Sequence, residues 1–330
     1  MPGDGPVLVP TVTGPVPLSE LGRVLMHEHV FVHTAEIARD YPDLTWTDRD
    51  AVREAAVERL TELSGLGIDT MLDLTVLGCD RSIPDIAWVA ERVAVRIVVA
   101  TGLYTLDDLP RFVAARPPEP GQRDVLTEMF VRDITVGIGD TGVRAGVLKC
   151  CIDKPGLTPG VERVLRATAH AHRETGVLIS THTDASSRSG LVQQQVFTEE
   201  GVDLARVVIG HSGDSTDLDY LMRLMDAGST IGCDRFGLYR AGMPTLGERL
   251  DAIASLCARG YADRIVLSHD AHCHSDWVPP DIREVLPDWN YAHIPAAVLP
   301  GLQERGVTDT QIDQMLRLTP RRLLPASDAY

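Results

Sequence analysis

Short apolar, β-branched runs recur along the chain, and the segments between them carry apolar residues at helical spacing. That alternation argues for repeated strand–helix units around a parallel sheet. Eight strands are predicted, at Val24–His29, Asp69–Thr75, Arg96–Thr101, Arg144–Cys150, Val177–His182, Arg206–His211, Ser229–Cys233 and Arg264–His269. Helices are predicted over about Asp50–Leu66, Pro84–Val95, Asp124–Gly137, Pro159–Thr175, Gly190–Glu200, Asp217–Ala227 and Thr245–Arg259. In the first of them Val52, Ala56, Val57, Leu60 and Leu63 form the apolar stripe of a helix packed on a sheet. Pro84 and Pro159 stand where a first-turn proline is tolerated. Gly176, Gly201, Gly228 and Gly260 follow helices as C-terminal caps would.

After the eighth strand comes a Pro- and Trp-rich stretch, His272–Asn290, and then two short helical patterns near Pro295–Arg305 and Thr308–Leu318. Pro110–Arg123 reads as a loop inserted after the third strand. The 330 residues exceed the roughly 250 usual for a (β/α)₈ barrel, and length alone would permit two domains. Neither a linker nor a repeat divides the chain, so the expectation is one α/β domain over residues 1–330. It would be a closed (β/α)₈ TIM barrel with a short N-terminal extension and C-terminal helices, preferred over an open doubly wound sheet.

Composition then narrows the partners. Hydrophobic residues at 44% and charged ones at 24% suit a large buried core and argue against disorder. The net charge of −16 repels phosphate backbones and anionic membranes, which disfavours nucleic-acid or membrane partners. The first residues lack a basic segment followed by an unbroken apolar run, so a cytoplasmic location is expected. The six cysteines show no CxxC spacing and are read as reduced thiols.

Candidate chemistry sits at the strand ends. The first strand closes with His27-Glu28-His29, and residues two apart on a strand share a face, so both imidazoles can point inward. An HxH pair alone is a weak metal signal. Lys149, His182 and His211 close the fourth, fifth and sixth strands, and Asp270 follows the eighth. In a (β/α)₈ barrel all these ends meet at one mouth, where active sites are built. Asp270 in isolation could be a helix N-cap, and Asp214 is read as capping the helix that follows it rather than supporting His211. His170 and His172 lie about 200° apart on a helix and cannot share a metal. His272 and His274 are taken as plain loop residues.

The chain resembles the phosphotriesterase family of the amidohydrolase superfamily, and most closely its phosphotriesterase-like lactonases. The resemblance runs through Gly22-Arg23-Val24-Leu25-Met26-His27-Glu28-His29, Thr101-Gly102-Leu103-Tyr104, Ala145-Gly146-Val147-Leu148-Lys149-Cys150, Ser180-Thr181-His182-Thr183, Val208-Ile209-Gly210-His211 and Leu267-Ser268-His269-Asp270. It implies two divalent metals, zinc or else iron, cobalt or manganese. His27, His29 and Asp270 would hold one and His182 and His211 the other, bridged by a carboxylated Lys149 and a hydroxide. Asp270 would also move protons in catalysis.

Triester hydrolases of the family carry a relay histidine after the seventh strand, where this chain has Arg235 as the lactonases do. Tyr104 and Trp277 match lactonase residues beside the metals and the substrate. The implied activity is lactone opening, on N-acyl-homoserine lactones (quorum quenching) or other γ- and δ-lactones, with promiscuous organophosphate triesterase activity; a homodimer would fit. Hydrolysis of another cyclic ester, amide or phosphotriester is the enzymatic alternative, and a metal-binding barrel kept as a binding protein is the non-enzymatic one. Arg235 would either shape the substrate pocket or pair with a neighbour such as Asp234. The segments Arg111–Pro118 and Gly237–Pro244 depart from the family pattern.

Overall fold

The computed structural model describes residues 6–46, 48–279 and 281–330. Eight parallel strands follow one another around the sheet: β1 (Val24–Val32), β2 (Thr70–Asp73), β3 (Arg96–Gly102), β4 (Val147–Cys151), β5 (Ile179–His182), β6 (Val207–Ile209), β7 (Thr230–Cys233) and β8 (Ile265–Leu267). A ninth strand, β9 (His272–Ser275), pairs in parallel with the far end of β1. β8 and β9 are one stretch of chain interrupted at residues 268–271. That stretch lies against β7 on one side and β1 on the other, and so curls the sheet into a (β/α)₈ barrel. Asp270 N–H donates to the His27 carbonyl and His29 N–H to that of Ala271, which carries the closure across the interruption.

The principal helices are α1 (Arg49–Gly65), α2 (Ile83–Ala90), α3 (Val125–Thr135), α4 (Pro159–Thr175), α5 (Ser189–Glu199), α6 (Leu218–Asp226) and α7 (Leu246–Ala258). Their starts are capped as the local sequence dictates: Asp48 accepts from Asp50 N–H and Ala51 N–H, Thr158 from Val161 N–H, and Thr245 and Glu248 form a reciprocal capping box. Gly176 ends α4 in the left-handed conformation.

Two apolar layers result. Val24, Met26, Leu72, Val98, Val147, Val208 and Val266 fill the lumen, while a larger layer around Leu60, Phe130, Leu165, Phe197 and Leu256 packs helices on the outside of the strands. Strands covered on both faces read as continuous apolar runs because neither face meets water.

Several details differ from the sequence expectation. The 110–123 segment contains a helical turn, Arg111–Ala114. The last helical pattern runs on to Leu323, through Thr319–Leu323. His272 and His274 lie on β9 rather than in a loop. Their alternation of polar side chains with a buried cysteine does not resemble a core strand, which hides the element from a reading of apolar periodicity.

Candidate metal centre at the barrel mouth

β1 would send Val24, Met26 and residue 28 to one face if its alternation were unbroken. The register against β2 slips between Leu25 and Glu28: Leu25 faces Met71 but Glu28 faces Asp73, so β1 holds one extra residue. This bulge lets His27 and His29 join the lumen above Val24 and Met26. Glu28 turns instead toward the barrel seam. There its buried carboxylate accepts from His269 N–H at 2.9 Å, His269 Nδ1–H at 2.7 Å and Ala271 N–H at 3.0 Å.

Each of the four candidate imidazoles is tied back at one ring nitrogen and open toward the centre at the other. His27 Nδ1 and His211 Nδ1 both bond Asp234, at 3.0 and 2.9 Å. His29 Nδ1 bonds Thr75 Oγ1 at 2.8 Å, and His182 Nε2 bonds Asp153 at 2.7 Å. The carboxylate partners hold the proton on the outer nitrogen and leave the inner lone pair free, and Thr75 can accept from His29 in the same way. The inner atoms converge. His27 Nε2 lies 2.9 Å from Lys149 Nζ and 3.5 Å from Asp270 Oδ1, His29 Nε2 lies 3.1 Å from the same oxygen, and His211 Nε2 lies 3.1 Å from His182 Nδ1. Donor atoms of His27, His211 and Asp270 fall within 4.8 Å of one another.

Lys149 is 2% exposed and stands two residues beyond Val147 on the lumen side of β4. Burial lowers its affinity for a proton. Burial, with the Lys149 charge beside it, brings His27 down to about 4. Burial likewise pushes His182 and His211 down, aided by Arg235. For Asp270 burial acts upward, but His27, His211, the His29 bond and Arg235 together overcome it and hold the carboxyl well below the usual range.

Two of these residues sit in strained backbone. His211 and Asp270 have φ of +59° and +55°, a region that residues other than glycine seldom occupy. Both follow the last residues of their strands, and the left-handed turn aims each side chain back over the lumen.

Arg235 does not pair with Asp234. Its Nε donates to Asp270 Oδ2 at 3.1 Å and its Nη1 to Asp214 at 3.0 Å, so it lies between the two carboxylates at the cavity edge. Asp214 therefore does not cap a helix: it is held by Arg235 and Arg249, and the cap of α6 is Asp217, which accepts from Tyr220 N–H. Tyr104 stacks edge-on against His182, with ring centroids 5.6 Å apart, and lies 5.5 Å from Trp277. Burial, before any neighbouring charge, keeps its phenol protonated. Trp277, 43% exposed, forms the outer lip. Tyr104, Arg235 and Trp277, with His29, Lys149, His182, Asp270, His272 and Trp289, line a cavity of about 140 Å³.

Asp234, Glu28 and Asp153 support the candidate ligands, a role that strand-end spacing does not reveal. Four imidazoles, a carboxylate and a buried amine around one point fit a divalent-metal centre of nitrogen and oxygen donors.

The model of the phosphotriesterase family matches residues 7–324. The chain is 51% identical over 323 residues to a phosphotriesterase homology protein of Mycobacterium tuberculosis, covering 97% of this chain and 98% of that protein. It is 35% identical over 306 residues to an aryldialkylphosphatase of Saccharolobus solfataricus, covering 92% and 95%. The solved structure of the phosphotriesterase from Mycobacterium tuberculosis superposes with a TM-score of 0.93 at 50% identity, over 98% of this chain and all of that one. With this agreement over nearly its whole length, the chain belongs to the phosphotriesterase family of metal-dependent hydrolases.

Proposed function

We propose that this hydrolase opens lactones, N-acyl-homoserine lactones or other γ- and δ-lactones bearing an alkyl tail, with a weaker activity on organophosphate triesters. The observation that carries the reading is the pairing of Arg235 with Asp270 Oδ2, at the position where the family's triester hydrolases place a relay histidine. A guanidinium holds a carboxylate anionic but cannot pass its proton onward, because it does not deprotonate at neutral pH.

His27, His29 and Asp270 would hold one metal and His182 and His211 the other, with Lys149 as the bridge. Divalent ions there supply a Lewis acid for the scissile carbonyl and make water acidic enough to attack at neutral pH. Lys149 can serve only after its charge is reversed. Its buried amine, driven toward the neutral form, adds through its lone pair to carbon dioxide and loses a proton, giving a carbamate with two anionic oxygens.

Asp270 takes up the proton that water loses on adding to the carbonyl and returns it to the ring oxygen as the C–O bond breaks. In a lactone that oxygen stays tethered, so the proton's destination remains beside Asp270. Tyr104 keeps its phenolic proton and can donate a hydrogen bond to the lactone, while Trp277 and Arg235 bound the space around the ring. Other cyclic esters, amides and phosphotriesters use the same groups and are the alternative outcomes of the test.

The test is kcat/KM on metal-loaded protein for a series of tailed γ- and δ-lactones against paraoxon-like triesters. Lactones are expected to lead by at least about 10²-fold, roughly 2.7 kcal/mol of transition-state preference. Equal or better efficiency on triesters across the series refutes the lactonase reading and leaves the metal centre standing.

A further inference from the structure

Beside β9, two arginines converge on one acceptor. Arg59 on α1 and Arg283 in the helical turn Ile282–Val285 both donate to the Cys273 carbonyl, and Arg283 Nη2, 3.0 Å from it, also reaches the His272 carbonyl at 3.1 Å. A carbonyl engages one nitrogen of each guanidinium and carries no net charge to offset either. Elsewhere among the described residues, arginines that meet at one acceptor meet at a carboxylate: Arg49 and Arg53 share Asp85, and Arg235 and Arg249 share Asp214.

Arg59 and Arg283 form no ion pair with any carboxylate among the described residues. Glu62 faces the same cavity one turn along α1 and bonds neither. Nε and Nη2 of Arg59, and Nε and Nη1 of Arg283, likewise have no protein acceptor among the described residues. Both side chains line a cavity of about 320 Å³ whose apolar wall is Leu63, Leu66 and Trp289.

We infer that Arg59 and Arg283 form a binding site for an oxoanion, a carboxylate or phosphate whose oxygens take the free guanidinium donors, with the apolar wall covering whatever the oxoanion is attached to. Planar guanidiniums suit this task because each can offer two parallel N–H groups to one oxoanion. The site is separate from the candidate metal centre but shares a partition with it, since His272 and Trp289 line both cavities. A bound anion would therefore rest against the back of the chain segment that carries Asp270 and Trp277.

The experiment is calorimetric titration of the metal-loaded protein with inorganic phosphate and, separately, with hexanoate. It is repeated on Arg59→Gln, Arg283→Gln, Arg283→Lys and, as a control, Arg92→Gln, whose guanidinium lies over Trp88 and does not line this cavity. Anions that occupy the metals give a component common to all five proteins. The site predicts a second component, weakened at least tenfold by either glutamine variant, partly kept by Arg283→Lys, and unchanged in Arg92→Gln. Tighter hexanoate identifies an organic carboxylate as the ligand source and tighter phosphate identifies the free ion. Isotherms alike in all five proteins, or no second saturable component in the wild type, overturn the site.

Discussion

Asp234 reaches two strands at once: its carboxylate holds the outer nitrogens of both His27 and His211 and also accepts from His211 N–H at 2.7 Å. A side chain that orients two proposed ligands for different metals should matter nearly as much as a ligand. Asp234→Ala is expected to weaken metal binding by about 10–100-fold with the barrel intact, and Asp234→Asn less, since its single carbonyl oxygen can still serve one ring. Competition titration with a chromophoric chelator, alongside far-ultraviolet circular dichroism, measures this; wild-type affinity in Asp234→Ala would show that the rings are oriented by packing alone. The histidines, Lys149 and Asp270 were legible in the sequence because each recurs at a predicted strand end, and barrel topology brings those ends together. Asp234 was not, although it directly follows the predicted seventh strand: its hydrogen bonds reach His27 on β1 and His211 beyond β6, and no local spacing encodes those partners. Asp214 was misread for a related reason. An aspartate ahead of a helix looks like a cap, and only the tertiary structure reveals that two arginines claim it.

At the scale of elements, the eight strands and the main helices follow from apolar runs and caps, and the structure places them within a few residues of the expected bounds. What escaped the pattern was irregular: the bulge in β1, which no glycine announces, and β9, which is too polar to resemble a core strand. Both are held by tertiary contacts. The β3–β4 pairing shows how closely the barrel wall is built. Gly102 has φ +149°, and a Cβ placed there would lie 1.9 Å from the Lys149 carbonyl oxygen. Gly102→Ala must therefore force apart the backbone that presents Lys149, in a backbone conformation alanine avoids. A loss of about 3 kcal/mol or more is expected, or failure to fold, from the combined cost of overpacking and strain. Urea denaturation reads it, and a change within about 0.5 kcal/mol would contradict so close an approach.

On the whole-molecule scale the chain is strongly acidic, and among the described residues no helix is long and apolar enough to cross a membrane. Its response to acid should involve a group outside the candidate metal centre. His33 is fully buried against Trp46, with neither ring nitrogen hydrogen-bonded among the described residues, and burial, with His274 nearby, lowers its pKa to about 4. The unfolded chain takes up this proton near pH 6.5 and the folded one only near 4. Its contribution is thus complete above about pH 6.5 and is lost as pH falls toward 4, on the order of 2–3 kcal/mol at most. Urea unfolding at pH 7 and pH 5 should show a steeper loss in the wild type than in His33→Phe; parallel losses would exclude His33 as a source. The barrel's closure has a consequence of another kind. The ring is joined by the stretch from β8 to β9, and Asp270 sits at the join, its N–H bonded to the His27 carbonyl. Shutting the ring and completing the proposed ligand set are then a single topological act. A chain whose eight units had formed but whose ends had not met would keep most of its secondary structure and hold no working centre, so hydrolysis would report on the last step of assembly.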